Sequence, residues 1–255
     1  MCGIVGYIGD RKVVPILLDG LKRLEYRGYD SAGLAVLEQG RMVVHRSVGK
    51  IKELENVVWG ANLVGTVGLG HTRWATHGRP TEENAHPHTD CTGDLVVIHN
   101  GIIENYLALK EKLIAEGHRF RSETDTEVIA HLIERYLKEE LDIEVAVRAA
   151  LNDVTGAYAI GVLWKGDPGR IVGAKNQSPL VVGLGEGDYF FASDIPAILS
   201  HTRNVLFLND GEMVVLTKEG VEITTLAGER VHRDVERVLW SPILAEKGGY
   251  KHFML

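Results

Sequence analysis

Two hydrophobic rhythms alternate along the chain, and the points where one gives way to the other mark its elements. An apolar run from Ile4 to Ile8 reads as a strand, after which Val13, Ile16, Leu17, Leu21 and Leu24 recur at helical spacing. Leu34 to Leu37 and Met42 to His45 flank Gln39-Gly40 as the arms of a hairpin, with Gly28 and Gly33 bracketing a turn ahead of it. Further strands are predicted at Thr66 to Thr72 and at Leu95 to His99. In the middle of the chain Thr124 is placed to cap a helix and Glu127 to complete a capping box. Val128, Ile129, Leu132, Ile133 and Tyr136 then mark the buried face of that helix. A second amphipathic stretch from about Ile143 to Leu151 predicts a neighbouring helix. From Ala157 to about Val231, short Val, Ile and Leu-rich runs are separated by Gly-Asp, Asp-Gly and Glu-Gly turns, the pattern of successive strands. Strands from both ends of the chain, with helices between them, imply stacked sheets covered by helices.

Composition narrows the class. With 255 residues, 45% apolar and 25% charged, the chain has the balance of a folded globular protein. A formal net charge of -7 argues against nucleic-acid or anionic-membrane partners, which need clustered Lys and Arg. The opening MCGIVGYIGD has no signal-peptide pattern and no segment has membrane-spanning length, so a cytoplasmic location is expected. The two cysteines, Cys2 and Cys91, exclude a disulfide framework and a four-cysteine zinc site. No linker interrupts the chain before Leu239, whereas residues 240–255 lose strand alternation and end on an apolar run. A domain over residues 2–239, with the start of a linker at 240–255, is expected.

Candidate chemistry begins at Cys2. Removal of the initiator methionine leaves a thiol and a free α-amine on one residue, titrating near ~8.5 and ~8, so the amine can serve as base while the thiolate attacks a carbonyl. Taken alone, Cys2 reads first as a small buried residue at the start of a strand. His71, His77, His86, His88 and His99 cluster in sequence, but their spacing matches no zinc pattern and no metal or cofactor is expected. Cys91, in HTDCTGD, reads as a bystander thiol. The glycines from Gly183 to Gly187 lack the spacing and following helix of a phosphate loop and read as a hairpin turn.

Five segments in fixed order carry more information than any one residue: Cys2-Gly3-Ile4-Val5-Gly6, Glu25 to Gly33 (EYRGYDSAG), His71 to Gly78 (HTRWATHG), His99 to Ile102 (HNGI) and Ser122 to Glu127 (SETDTE). Together they resemble the class II glutamine amidotransferases, within the N-terminal nucleophile hydrolases. Over the whole chain the resemblance is nearest to glutaminase domains that serve amination of fructose 6-phosphate. It implies an α+β fold, a four-layer αββα sandwich of two mainly antiparallel sheets. It also implies that Cys2 attacks the side-chain amide of L-glutamine, with an oxyanion hole from the Asn100 side chain and the Gly101 N–H, at a strand end. Arg73 would hold the α-carboxylate of glutamine, and Asp125, in the first turn of a helix, its α-ammonium. Trp74, Thr76 and His77 would complete the substrate loop, and Arg27 would lie beside the nucleophile. Fructose 6-phosphate would enter only through a synthase domain beyond this chain, in a full-length homodimer. A catalytically silent glutamine-sensing or assembly module is the alternative.

Overall fold

In the computed structural model residues 2–139 and 142–239 are described. In chain order the elements are β1 (Gly3–Ile8), α1 (Val13–Arg23), β2 (Ser31–Glu38), β3 (Arg41–Val48), α2 (Ile51–Ala61), β4 (Val67–Arg73), β5 (His88–Thr89), β6 (Leu95–Ile103), α3 (Tyr106–Ala115), α4 (Glu127–Leu137), α5 (Ile143–Asp153), β7 (Gly156–Trp164), β8 (Ile171–Asn176), β9 (Val181–Leu184), β10 (Tyr189–Ala192), β11 (Asn204–Phe207), β12 (Glu212–Leu216), β13 (Val221–Thr225) and β14 (Glu236–Arg237). The expected linker at 240–255 lies outside the described residues, as does Met1.

The strands form two sheets, ordered β14-β11-β9-β10-β1-β4-β2-β3 and β13-β12-β8-β7-β6-β5. The ladders around the site, β1 with β4 and β10, β2 with β4, and β6 with β7, are all antiparallel. Because successive side chains on a strand point to opposite faces, each central strand feeds two cores. On β1, Ile4 and Ile8 enter the layer between the sheets, while Val5 and Tyr7 pack with α1 and α2. On β6, Val96 and Ile98 face inward, while Leu95 and Val97 lie under α4 and α5. Helix layer, sheet, sheet, helix layer is the αββα sandwich that the motifs implied. Burial on both faces also explains why these strands read as continuous apolar runs.

One side chain sets the closeness of the sheets. A Cβ added at Gly6, Gly161 or Gly173 would stand 2.5, 2.7 or 3.2 Å from ring atoms of Phe191, so three glycines on three strands make room for one fully buried ring.

Several local expectations are corrected. β6 continues past His99 to Ile103, with Asn100 opposite Ala159 and Gly101 opposite Tyr158, so Asn100-Gly101 lies inside a paired strand and not at its end. Gly33 is a residue of β2 and does not close a turn. A Cβ there would reach 2.2 Å from the His86 carbonyl oxygen, so the glycine is required by a close crossing. No capping box forms on α4. Thr126 occupies the N-cap without a side-chain cap, and the Glu127 carboxylate instead accepts from the backbone N–H of Arg121 at 2.8 Å and of Ser122 at 2.7 Å. Helices α2 and α3 were not signalled by the apolar pattern. The reason is plainest for α3, which buries only Leu113 while Leu107 and Ile114 stay exposed.

Candidate active site

The antiparallel register of the first sheet assembles one end of the site. Gly3 pairs with Thr72 and Ser31 with Arg73, so the residues just beyond these pairs, Cys2, Asp30 and Trp74, meet at the same sheet end. The Trp74 backbone N–H donates to Cys2 Sγ at 3.2 Å. Burial pushes the Cys2 thiol above its ordinary value, and the bond from Trp74 and the charge of Arg73 pull against that rise. On the other side of β1, the Ile4 N–H donates to Ser193 Oγ, and Arg27 donates to the Ser193 carbonyl at 3.0 Å.

The second sheet supplies the facing wall. Asn100 shares the inward face of β6 with Val96 and Ile98, and its Nδ2 donates to the Cys2 carbonyl at 3.2 Å. Its Oδ1 faces His71 Nε2 at 3.0 Å, and the same nitrogen lies 2.9 Å from the His99 carbonyl. A ring nitrogen between two oxygens acts as a donor, and this fixes the Asn100 amide with its NH2 toward Cys2. Burial drives His71 down to about 3, so the ring is neutral. At Gly101, with φ of 133°, a Cβ would sit 1.9 Å from the Ala157 carbonyl oxygen. No other residue fits there.

Arg73 is buried at the end of β4, and its guanidinium donates to the carbonyls of His77 and Gly78 (3.3 Å), and to that of Arg79 at 3.4 Å. Burial lowers its pKa, and Asp30, Cys2 and Asp125 each oppose that shift. Asp30 accepts the Ala75 N–H at 2.6 Å and so ties down the chain that follows Trp74. The half-exposed Trp74 ring rests on Gly28, where φ is 76° and a Cβ would come within 2.8 Å of the ring. Asp125 stands two residues before α4, correcting the expectation that it lies in the first helical turn. One carboxylate oxygen accepts the Ile103 N–H at 2.8 Å, which anchors the residue to the end of β6.

A cavity of about 350 Å³ opens over this constellation. Cys2, Arg27, Arg73, Trp74, Thr76, His77, Asn100, Gly101 and Asp125 all line it.

The chain's likenesses are consistent with this geometry. The family model for the glutamine amidotransferase domain matches residues 71–200. The chain belongs to the glutamine amidotransferase domain family. It is 55% identical over its full length to the glutamine--fructose-6-phosphate aminotransferase [isomerizing] of Methanothermobacter thermautotrophicus, of which it covers 43%. It is 59% identical to the protein of the same name from Thermus thermophilus, covering 42% of it. The chain thus spans less than half the length of these relatives. Among solved structures, the glutamine phosphoribosylpyrophosphate amidotransferase from B. subtilis complexed with ADP and GMP superposes with a TM-score of 0.77 at 27% identity, covering 88% of this chain and 49% of that one.

The amidotransferase domain also recruits residues that no motif singled out for the site. Ser178 and Pro179, between β8 and β9, close one wall of the cavity, and Asp30 and Thr126 support others. The histidines His71, His86, His88 and His99 do gather, with ring centroids 4.1 Å apart for His71 and His86 and 4.6 Å for His86 and His88. They make ordinary hydrogen bonds: His86 Nδ1 accepts the His99 N–H, His99 Nδ1 meets Thr126 Oγ1 at 2.8 Å, and His88 Nε2 meets Thr124 Oγ1 at 3.0 Å. His77 stands apart from them, its ring edge against Tyr106.

Proposed function

We propose that the domain hydrolyses L-glutamine to glutamate and ammonia, with Cys2 as nucleophile once Met1 has been removed. The observation that carries this reading is the Cys2–Asn100 contact, in which the fixed side-chain amide of Asn100 on one sheet donates to the backbone carbonyl of the residue that bears the thiol on the other. The Cys2 thiolate attacks the side-chain amide carbon, and the Asn100 NH2 and the Gly101 N–H stabilise the oxygen that becomes negative. The free α-amine of Cys2 takes the thiol proton and returns one to the departing ammonia. Water then cleaves the thioester, which yields glutamate and restores the thiol.

Arg73 and Asp125 are assigned to the α-carboxylate and α-ammonium of glutamine, paired charges that suit a buried amino-acid pocket. Carbonyls of the 77–79 loop already engage Arg73, so a two-point grip on a carboxylate requires that loop to yield one of them. Thr76 and His77 complete the substrate loop, Trp74 packs beside the bound amino acid, and Arg27 braces the far side of the nucleophile. Ammonia released here would serve amination of fructose 6-phosphate by a synthase domain outside this chain, in a homodimeric full-length enzyme. Residues 2–239 are assigned to the glutaminase domain and 240–255 to the start of the linker. Two free cysteines fit a reducing compartment, and we assign the domain to the cytoplasm.

Glutamate release from L-glutamine, with Cys2→Ala alongside and Met1 removal checked by mass spectrometry, tests the reading. Release that vanishes in the variant is expected. Glutamine binding without release in a chain that has lost Met1 would instead establish a silent sensing module.

A further inference from the structure

Away from the cavity, Cys91 does not stand alone. Its turn between β5 and β6 meets His118, just past α3, and His131 and Glu134 on one face of α4. Cys91 Sγ lies 3.9 Å from His118 Nδ1 and 3.7 Å from His131 Nδ1. Glu134 Oε2 lies 2.8 Å from His118 Nδ1 and 3.0 Å from His131 Nδ1. All four potential ligand atoms fall within 4.8 Å of one another. We propose that Cys91, His118, His131 and Glu134 form a structural binding site for a zinc-class divalent cation.

The distances fit a tetrahedral ion. With zinc–nitrogen and zinc–oxygen bonds of about 2.0 Å and a zinc–sulfur bond of about 2.3 Å, sulfur-to-nitrogen edges are about 3.6 Å and nitrogen-to-oxygen edges about 3.3 Å. The observed sulfur edges are within a few tenths of an ångström of this, and the oxygen edges need only open slightly. A mixed set of one sulfur, two imidazole nitrogens and one carboxylate oxygen selects zinc or cobalt over magnesium or calcium, which take oxygen ligands. One thiolate and one carboxylate supply two negative charges, which a dication neutralises.

The surroundings have the form of an outer ligand shell. The Arg119 N–H donates to Cys91 Sγ at 3.3 Å, and Lys138 Nζ holds the second Glu134 oxygen at 2.9 Å. Glu127 Oε1 lies 3.6 Å from His131 Nε2, the carboxylate–imidazole arrangement that orients metal-bound histidines. That nitrogen is buried and has no hydrogen-bond partner. Three donors, the two rings and the Cys91 N–H, now converge on the single oxygen Glu134 Oε2, where one cation would organise the rings and the carboxylate together. His118, His131 and Glu134 are buried and Cys91 is partly open, which leaves a way in for the ion.

Chelator-treated chain titrated with cobalt(II) tests the site. One equivalent should produce a thiolate-to-cobalt charge-transfer band with the visible bands of tetrahedral cobalt; zinc should bleach both and raise Tm. Cys91→Ser and His118→Gln, each checked for parental circular dichroism, should weaken binding at least about 100-fold, the upper range for loss of an outer-shell partner. Cys2→Ala should bind as the parent does. Absence of the charge-transfer band and of any Tm shift in the parent would overturn the proposal. Undiminished binding in both ligand variants, or loss of binding in Cys2→Ala, would do the same.

Discussion

At the scale of single residues, the constellation depends on side chains that are present and on one that is missing. Asn100 is oriented by a buried, neutral His71, so that in the proposed reaction its NH2 would already be fixed when charge develops on the substrate oxygen. Asn100→Ala should reduce turnover by roughly 100 to 1000-fold with little change in half-saturation, read from initial rates of glutamate release. Arg73→Lys should chiefly raise half-saturation, because a point charge cannot copy a planar fork. At Gly101 the missing Cβ matters most. Gly101→Ala should destabilise the domain by about 1–3 kcal/mol from backbone strain alone, measured by urea unfolding. The motifs made Cys2, Arg73, Asn100 and Asp125 legible before any fold was known. Asp30 stood inside EYRGYDSAG without a visible task, because its partner is a backbone N–H in the loop that follows β4, far away in the chain.

At the scale of elements, α4 links much of the second sheet to the site. Its first residue, Glu127, holds the N–H groups of Arg121 and Ser122 and the Ser122 hydroxyl, and so shapes the bend that presents Asp125. Against its burial, His131 first and then those three bonds bring the Glu127 carboxyl down to about 2. Glu127→Gln should speed amide exchange at Arg121 and Ser122 by at least about tenfold, since a hydrogen bond to a charged group contributes about 1.5–3 kcal/mol. Unchanged exchange at both amides would remove Glu127 from this role. The buried stripe of α4 was readable from its spacing. Its start was not, because Glu127 turns back toward a preceding loop and not toward a cap residue.

At the scale of the whole molecule, burying neutral imidazoles makes stability depend on pH. Burial pushes His71 and His88 down to about 3, whereas in the unfolded chain they titrate near 6.5. Below pH about 6.5 the unfolded state therefore binds more protons than the folded state, and stability falls with pH until about 3. Each histidine contributes up to about 1.4 kcal/mol per pH unit within that window. His131 works the other way: against its burial, Glu127 and Glu134 raise it, but it is one group against two. Tm should fall steadily from pH about 6.5 downward. A flat Tm to pH about 4.5 would mean that these rings are charged in the folded state. The sheet spacing gives a second global test. Phe191→Ala should cost about 3–5 kcal/mol, because three glycines were shaped around its ring and cannot collapse into the space.

The sequence by itself determined that stacked sheets are covered by helices, because strands buried on both faces and helices buried on one leave distinct apolar rhythms in the chain, while the four-layer order came from the resemblance that the motifs carry. It also singled out the residues to which the proposed chemistry is assigned, through five motifs whose residue types and order are specific. Only the tertiary structure decided that Asn100 and Gly101 lie within a strand, that Ser178 and Pro179 close the cavity, and that Cys91 meets His118, His131 and Glu134. Each of these depends on strand register and on the packing of one layer against another. Such contacts join residues far apart in the chain, and local periodicity does not encode them.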